Sequence, residues 1–312
     1  MAYKMPTQKY SGKINEVTVG SDLKLGGESV LPFYSFDGDT GNKPAIGMEI
    51  WDIYPESWPE GVLNIFKDVA DDPVKWAKFC VEKYNPDFIC LKFEGASPDG
   101  LNKSPEECAD VAKNVADNVN VPLVIAGCQN NEKNAKVFTK VAEVLADRNY
   151  VFLSAVESNY KEVGAAVGMA YGNIVAAESS VDLNLAKQLN ILVTQLGIQP
   201  DKMLMDPGCS AVGYGFEYVV TTMDRIRLAA LQQNDATLQV PMILPVSFES
   251  WKVKEAVAPE DEMPEWGCQE DRGVGMEIST AVGVLGAGAN AVILRHPRSV
   301  EVVRNFISQM TE

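Results

Sequence analysis

The feature that most constrains the fold is a regular alternation of short apolar runs and helical patterns, beginning near residue 45. The apolar runs are three to six residues long and rich in β-branched or aromatic side chains, as are strands buried in a parallel sheet. Eight such runs are predicted as strands: 46–51, 88–93, 123–126, 150–155, 173–177, 203–205, 242–246 and 291–294.

Helical patterns separate these strands, and some carry clear start signals. Asp72-Pro73 opens one, and Ser104-Pro105-Glu106-Glu107 opens another with an N-cap serine, proline at the first helical position and glutamate at the third. Further helices are predicted over 131–146, 161–170, 182–196, 216–232, 276–285 and 299–310. Alternation over roughly 265 residues fits a (β/α)8 TIM barrel, whose typical length is about 250 residues. A doubly wound open sheet is the alternative, but an unchanged rhythm through eight strands favours a closed barrel.

Residues 1–45 follow a different pattern and are predicted to form an N-terminal extension of the barrel at 46–312. Residues 13–19 alternate apolar and polar side chains, Gly20-Ser21-Asp22 supplies a turn, and 23–25 begins a return run. This pattern predicts a β-hairpin followed by a glycine- and proline-rich loop. The hairpin is expected to plug or flank the barrel, or to contact a partner.

A second irregularity is the stretch 247–275, which shows no clear period between the seventh strand and its helix. It contains Trp251, Pro259, Pro264, Trp266 and several acids. A loop of this length in a compact domain is usually functional or part of an interface.

The composition excludes several functions. The 312-residue chain has 27 Lys plus Arg and 43 Asp plus Glu, a net charge of −16 that repels nucleic acid and anionic lipid. No apolar run approaches the ~20 residues of a membrane helix, and residues 1–12 do not resemble a signal peptide. The six cysteines form no C-x-x-C pair, so neither zinc nor an iron–sulfur cluster is expected, and free thiols indicate a cytoplasmic protein.

Polar residues concentrate at the predicted carboxyl ends of the strands, where barrels of this type hold their sites. Lys202 to Phe216 is the clearest case, because an apolar run stops abruptly at Asp206-Pro207-Gly208. The strand ends together supply Asp52, Glu94, 127–130, 157–159, Glu178, Ser179, 206–209, 247–249 and His296. This set suits a neutral or amide-rich ligand, although several of the acids are equally expected to be helix N-caps.

Other chemistries are less well supported by the sequence. The G-x-G-x-x-A pattern at 286–291 lies between a helix and a strand, whereas a dinucleotide fingerprint requires a strand followed by a helix. Lys92 lies within the second strand, where it is expected to pair with an acid or, less often, to form a Schiff base. His296 is the only histidine, so a two-histidine metal site is excluded. No catalytic residue and no metal ligand is predicted.

An ordered set of short motifs resembles one known family over essentially the whole chain. The motifs are I-N-E-V-T-V-G at 14–20, G-G-E at 26–28, L-P-F at 31–33, F-D-G at 36–38, M-E-I-W-D at 48–52 and M-D-P-G at 205–208. The family is the small subunit of the corrinoid iron–sulfur protein of the acetyl-CoA (Wood–Ljungdahl) pathway, related to the delta subunit of archaeal acetyl-CoA decarbonylase/synthase.

The resemblance implies a TIM barrel that is not catalytic alone and pairs with a larger corrinoid iron–sulfur subunit. That partner would carry the [4Fe–4S] cluster and hold the corrinoid, a cobalamin, against the top of this barrel. The heterodimer would take a methyl group from methyltetrahydrofolate, through a separate methyltransferase, and deliver it to acetyl-CoA synthase. Under this hypothesis, the corrinoid-binding residues are predicted from the strand ends as Gln129, Asn130, Ser154, Asn159, Asp206, Gly208, Cys209, Ser210 and Ser247.

Two alternatives from other classes remain open. The first is a pterin-binding methyltransferase barrel, in which Asp206 and either Asn130 or Asn159 bind methyltetrahydrofolate. The second is a lyase or aldolase that uses Lys92 as a Schiff-base residue.

Overall fold

The computed structural model describes residues 6–311, so the first five residues of the predicted extension and Glu312 lie outside the described residues. Two strands, β1 (Glu16–Val19) and β2 (Leu23–Gly26), form an antiparallel hairpin, as predicted. Eight parallel strands follow: β3 (Ala45–Trp51), β4 (Phe88–Lys92), β5 (Leu123–Ala126), β6 (Val151–Ala155), β7 (Ile174–Glu178), β8 (Met203–Asp206), β9 (Ile243–Leu244) and β10 (Ala291–Leu294).

The eight strands form a barrel, which confirms the predicted fold class. Hydrogen bonding orders them β8-β7-β6-β5-β4-β3-β10-β9, and a parallel bridge between Met205 and Met242 joins β8 to the β9 segment. All eight predicted strands are present, and the open-sheet alternative is wrong because the two ends of the sheet meet.

Helices surround the barrel and follow the strands in sequence. They are α1 (Glu60–Phe66), α2 (Pro73–Tyr84), α3 (Pro105–Ala116), α4 (Asn131–Val144), α5 (Tyr160–Val163), α6 (Leu183–Gln195), α7 (Phe216–Leu231), α8 (Val246–Ser250), α9 (Lys254–Val257), α10 (Gln269–Gly286) and α11 (Pro297–Thr311). A π-helical segment, Gly164–Ala170, continues α5. Apolar side chains of the helices and of the outward strand faces form one large core.

The predicted start of α3 is confirmed in detail. The Ser104 hydroxyl oxygen accepts a hydrogen bond from the Glu107 backbone N–H at 3.2 Å, and the Glu107 carboxylate accepts one from the Ser104 N–H at 2.7 Å. This reciprocal pair satisfies two backbone donors that the helix itself cannot satisfy.

Replacing Ser104 by alanine is expected to lower the free energy of unfolding by about 1 kcal/mol, because it removes the cap acceptor. Urea unfolding of the two proteins measures the difference. The matched change Ser97→Ala, at a serine that caps no α-helix, is expected to cost less; equal losses would contradict a specific capping role.

The hairpin plugs the end of the barrel opposite to the carboxyl ends of the strands. Val17, Val19 and Leu25 are at most 2% exposed and pack on the inward-facing side chains of the strands. The Gly20 N–H donates to the Asn149 carbonyl at 2.8 Å, just before β6 begins. The hairpin therefore covers this end of the barrel.

Side chains inside the barrel are matched in size to their neighbours on adjacent strands. Gly47 of β3 pairs with Phe88 of β4, and a Cβ at Gly47 would lie only 2.0 Å from the Phe88 ring. Only glycine leaves room for this ring inside the barrel.

The interpretation of 247–275 as a stretch without regular structure is wrong. This segment contains α9, most of α8, a 3₁₀ turn at Pro264–Trp266 and the first two turns of α10. Gly273 and Gly275 obscure the helical pattern in the sequence. Gly273 is nonetheless required in α10, because a Cβ there would lie 2.2 Å from the buried Trp251 ring.

Candidate functional site

The carboxyl ends of the strands surround a cavity of about 440 Å³, here called the mouth cavity. Its wall is formed by residues of four strands, β4, β6, β7 and β8, and by the turns and helices that follow β5, β7, β8 and β9. The lining residues are Lys92, Gly127, Cys128, Gln129, Asn131, Asn134, Leu153, Ser154, Glu178, Ser180, Val181, Asp206, Gly208, Cys209, Pro245, Phe248, Glu249 and Lys252. Its volume is in the range of small-molecule sites, which are ~300–1,000 Å³.

Five of the nine residues predicted to bind a corrinoid line this cavity. They are Gln129, Ser154, Asp206, Gly208 and Cys209, drawn from three different strand ends. The fold brings these residues together from positions up to 80 apart in the chain. Burial raises the pKa of the Cys209 thiol, so this group remains protonated at neutral pH.

The other four predicted residues do not line the cavity. Asn130 caps α4 by accepting from the Lys133 N–H at 2.9 Å, and Asn159 accepts from the Val156 N–H at 2.9 Å. The Ser210 hydroxyl donates to the Tyr214 carbonyl, within its own turn. Ser247 is fully buried beneath the cavity, beside Glu49.

Asp206 forms part of the floor of the mouth cavity and is only 3% exposed. Its Oδ1 accepts from the Gly208 N–H at 2.9 Å, and Gly208 has a φ of 89° that favours glycine. Burial raises the pKa of Asp206 well above its usual range, and the nearby carboxylates of Glu178 and Glu249 raise it further. This raised pKa favours the protonated, neutral form of Asp206 at the floor of the site.

This raised pKa predicts how stability depends on pH. Folded Asp206 keeps its proton where an unfolded aspartate, with a pKa of about 3.9, has lost it. The wild-type protein therefore loses stability as pH rises from about 4 towards the folded pKa, and Asp206→Asn removes that loss. Urea unfolding is expected to show that the free energy of unfolding of Asp206→Asn increases relative to that of the wild-type protein between pH 4 and pH 7. A constant difference across this range would contradict a raised pKa.

A buried ion pair lies one layer deeper than the cavity. The Arg295 guanidinium donates to both carboxylate oxygens of Glu49 at 3.0–3.1 Å, and Glu49 also accepts from Trp51 Nε1 at 2.6 Å. Burial alone would raise the pKa of Glu49, but the charges of Arg295 and Lys92 outweigh it and hold this pKa below its usual range. This pair supports the mouth from below.

The two cations of the mouth cavity are already paired. Lys92 Nζ lies 2.9 Å from Glu94 and is within 5.0 Å of the Trp51 and Phe248 ring centroids. Lys252 Nζ lies 2.8 Å from Glu249. Among the residues that line the cavity, no cation is left free to bind a phosphate, and the available groups suit a neutral ligand.

His296 lies away from the cavity wall. Its ring stacks on Trp251 with an interplanar angle of 23°, and its Nδ1 accepts from the Arg298 N–H at 3.1 Å. Burial lowers the pKa of His296 to about 4, so its imidazole is neutral at physiological pH. These contacts favour a structural role for His296 over an acid–base role.

The sequence placed Phe248 at a strand end, within 247–249, but it did not identify Lys252 or the turn at Ser180 and Val181. Val181 has a φ of 63°, a strained value for a β-branched residue, and its N–H donates to the Pro207 carbonyl at 2.7 Å. The polar Glu178-Ser179-Ser180 run after a strand is the one sequence signal that pointed to this turn.

Within residues 6–311, no group of His, Cys, Asp and Glu side chains has an arrangement that would hold a metal ion. No helix in the same range is sufficiently long and apolar to cross a membrane.

The (β/α)8 barrel fold of this chain is shared with solved structures of dihydropteroate synthases. The Yersinia pestis enzyme aligns with a TM-score of 0.59 and 13% identity, over 95% of this chain and 99% of that chain. The Xanthomonas albilineans enzyme aligns with a TM-score of 0.56 and 13% identity, over 86% of this chain and 94% of that chain. At these identities the likeness concerns the fold alone.

Sequence comparison then identifies the family. The profile of the CO dehydrogenase/acetyl-CoA synthase delta subunit matches residues 16–304, and this chain belongs to that family. Subunit delta of the acetyl-CoA decarbonylase/synthase complex from Methanocaldococcus jannaschii is 32% identical, over 99% of this chain and 77% of the relative. The Archaeoglobus fulgidus subunit is 31% identical, over 97% of this chain and 70% of the relative. The resemblance to the small subunit of the corrinoid methyl carrier of the acetyl-CoA pathway is thereby confirmed.

Proposed function

We propose that the mouth of this barrel caps a corrinoid, a cobalamin, that a larger iron–sulfur subunit holds. In this proposal the [4Fe–4S] cluster belongs to the larger subunit, and the heterodimer works in the cytoplasm. It exchanges methyl groups with a methyltetrahydrofolate:corrinoid methyltransferase and with acetyl-CoA synthase. Membership of the delta-subunit family supports a role within a multi-subunit complex.

One observation carries the capping role: both cations of the mouth cavity are paired with acids, whereas neutral donors and acceptors are free at its rim. Lys92 and Lys252 are engaged by Glu94 and Glu249, while the Gln129 amide is exposed at the rim. The edge of a corrin ring carries neutral amide side chains, which such groups match.

The size of the mouth cavity determines how a corrinoid would bind to it. A volume of about 440 Å³ takes a small heterocycle but not a corrinoid with its side chains. The macrocycle would therefore cover the mouth, with amide side chains reaching Gln129 and Asp206. When bound, the corrinoid supplies the cobalt that carries the methyl group; the residues of this chain bind its edge and exclude water.

A bulky side chain at the rim tests this proposal. Gln129→Trp is expected to weaken corrinoid retention by the co-expressed heterodimer at least about tenfold, because the indole occupies the mouth without disturbing the core. Gln199→Trp is the matched control at an exposed position before β8, at the opposite end of the barrel. Size-exclusion chromatography with absorbance in the corrinoid bands measures retention. Equal retention in both variants would remove the mouth from the proposed interface.

A second candidate is direct binding of methyltetrahydrofolate in the mouth cavity. It is favoured by the neutral Asp206 carboxyl at the floor of a cavity of suitable size. Fluorescence titration of the isolated chain with methyltetrahydrofolate distinguishes the two. Saturable binding that Asp206→Leu abolishes would support the pterin site, and no binding would leave the corrinoid cap as the function of the mouth.

A further inference from the structure

Glu178 and Asp206 are direct neighbours at the floor and wall of the mouth cavity. They end the adjacent parallel strands β7 and β8 and are partners in the strand register. Neighbouring strands lie about 4.8 Å apart, and both side chains line the cavity. The barrel therefore places two carboxyl groups side by side, facing the same ligand.

Each carboxyl group has one oxygen engaged and one oxygen free. Asp206 Oδ1 accepts from the Gly208 N–H, and Glu178 Oε2 accepts from the Ser154 hydroxyl. Within residues 6–311, neither Asp206 Oδ2 nor Glu178 Oε1 has a hydrogen-bond partner. Asp206 is 97% buried, so its free oxygen has access only to an occupant of the cavity.

Two carboxyl groups this close do not both ionise, and the more buried one keeps the proton. Burial and the negative charges of Glu178 and Glu249 raise the pKa of Asp206. The other titratable groups of this wall do not reverse this: the Cys209 thiol is neutral, and Lys252 and Lys92 are paired with Glu249 and Glu94. Asp206 thus offers a donor at Oδ2, beside an acceptor at Glu178 Oε1.

We propose that Glu178 and Asp206 together form a recognition site for one primary carboxamide group. The Asp206 O–H donates to the amide oxygen, and the amide N–H donates to Glu178 Oε1. A carboxylate in the same place would present a second acceptor to the Glu178 anion and would be repelled. The inference rests on the proposed function, in which the carboxamide is one at the edge of the corrinoid, and it adds selection of amidated over carboxylate-bearing corrinoids.

The test compares cobalamin with its monocarboxylic acid derivatives, each loaded into the heterodimer. The wild-type heterodimer is expected to retain cobalamin about tenfold better than at least one of these acids, the difference that one good hydrogen bond supplies. Asp206→Leu removes the donor and is expected to abolish this preference. Asp206→Asn restores a donor through its NH₂ group and is expected to keep it.

The asparagine variant separates a neutral donor from an anion. If Asp206 acts as an anion, asparagine and leucine will damage retention equally, and the proposal is overturned. It is also overturned if wild-type protein retains every acid as well as it retains cobalamin.

Failure of the proposed function gives a different result, because Gln129→Trp then retains the corrinoid as well as Gln199→Trp does. In that event, NMR titration of the isolated chain with acetamide and with acetate decides the inference. Shifts with acetamide alone, lost in Asp206→Leu and kept in Asp206→Asn, support a carboxamide site. No shift, or equal shifts with acetate, overturns it.

Discussion

Replacing Arg295 by methionine is expected to lower the free energy of unfolding by about 3–5 kcal/mol, the cost of leaving a buried charge unpaired. Glu49 is fully buried, and Arg295 is the cation that bonds both of its carboxylate oxygens. The Arg295 guanidinium also lies 4.1 Å from the Trp58 ring centroid, so its loss removes packing as well as charge. Urea unfolding monitored by circular dichroism measures the change.

Arg298→Met is the matched control, three residues along the same segment. Arg298 is about half exposed and pairs with Asp271 and Glu270 at the surface, so its replacement is expected to cost less than about 1 kcal/mol. Equal losses in the two variants would mean that the buried pair does not support the barrel. Replacing Glu49 by leucine within Arg295→Met is expected to recover part of the loss, since the unpaired charge is then removed.

Replacing Leu25 by alanine is expected to lower the free energy of unfolding by about 2–5 kcal/mol, because it leaves a cavity in the plug of the barrel. Leu25 is 2% exposed and packs with side chains from the barrel strands. The hairpin therefore belongs to the same folding unit as the barrel, and a single unfolding transition is expected.

Leu101→Ala provides the comparison, since Leu101 is 67% exposed and its truncation leaves no internal cavity. That change is expected to alter stability by no more than about 0.5 kcal/mol. If Leu25→Ala is as mild as Leu101→Ala, or melts the hairpin in a separate transition, the plug is peripheral and the expected coupling is absent.

The fold was accessible from the sequence because its signals are local. Buried parallel strands are continuous apolar runs, and a helix start such as the one at Ser104-Pro105 is specified by four consecutive residues. The prediction failed at the start of α10, where Gly273 and Gly275 obscure the helical pattern. Tertiary packing requires a glycine at position 273, although glycine is a poor helix former. There the Trp251 ring takes the space of a side chain at Gly273.

The site was accessible only in part. Asp206 and Gly208 were identified because residues at the carboxyl ends of barrel strands lie at the mouth of the barrel. Asn130 and Asn159 look the same in sequence, but their side chains serve local backbone groups instead. Whether an amide at a strand end caps a helix or faces a ligand depends on its rotamer and its neighbours, which a linear pattern does not specify.

Local patterns in the sequence are sufficient to predict the eight strands, the hairpin, most of the helices and the family, because periodicity, capping and ordered motifs act over short distances along the chain. Which polar residues share a site depends instead on how distant segments pack together. The tertiary structure pairs Glu49 with Arg295 across almost 250 residues, and it places Asp206 beside Glu178. The physical reason is that charge and burial are properties of the surroundings: a neutral Asp206 is produced by the barrel wall around it, not by the residues next to it in the chain.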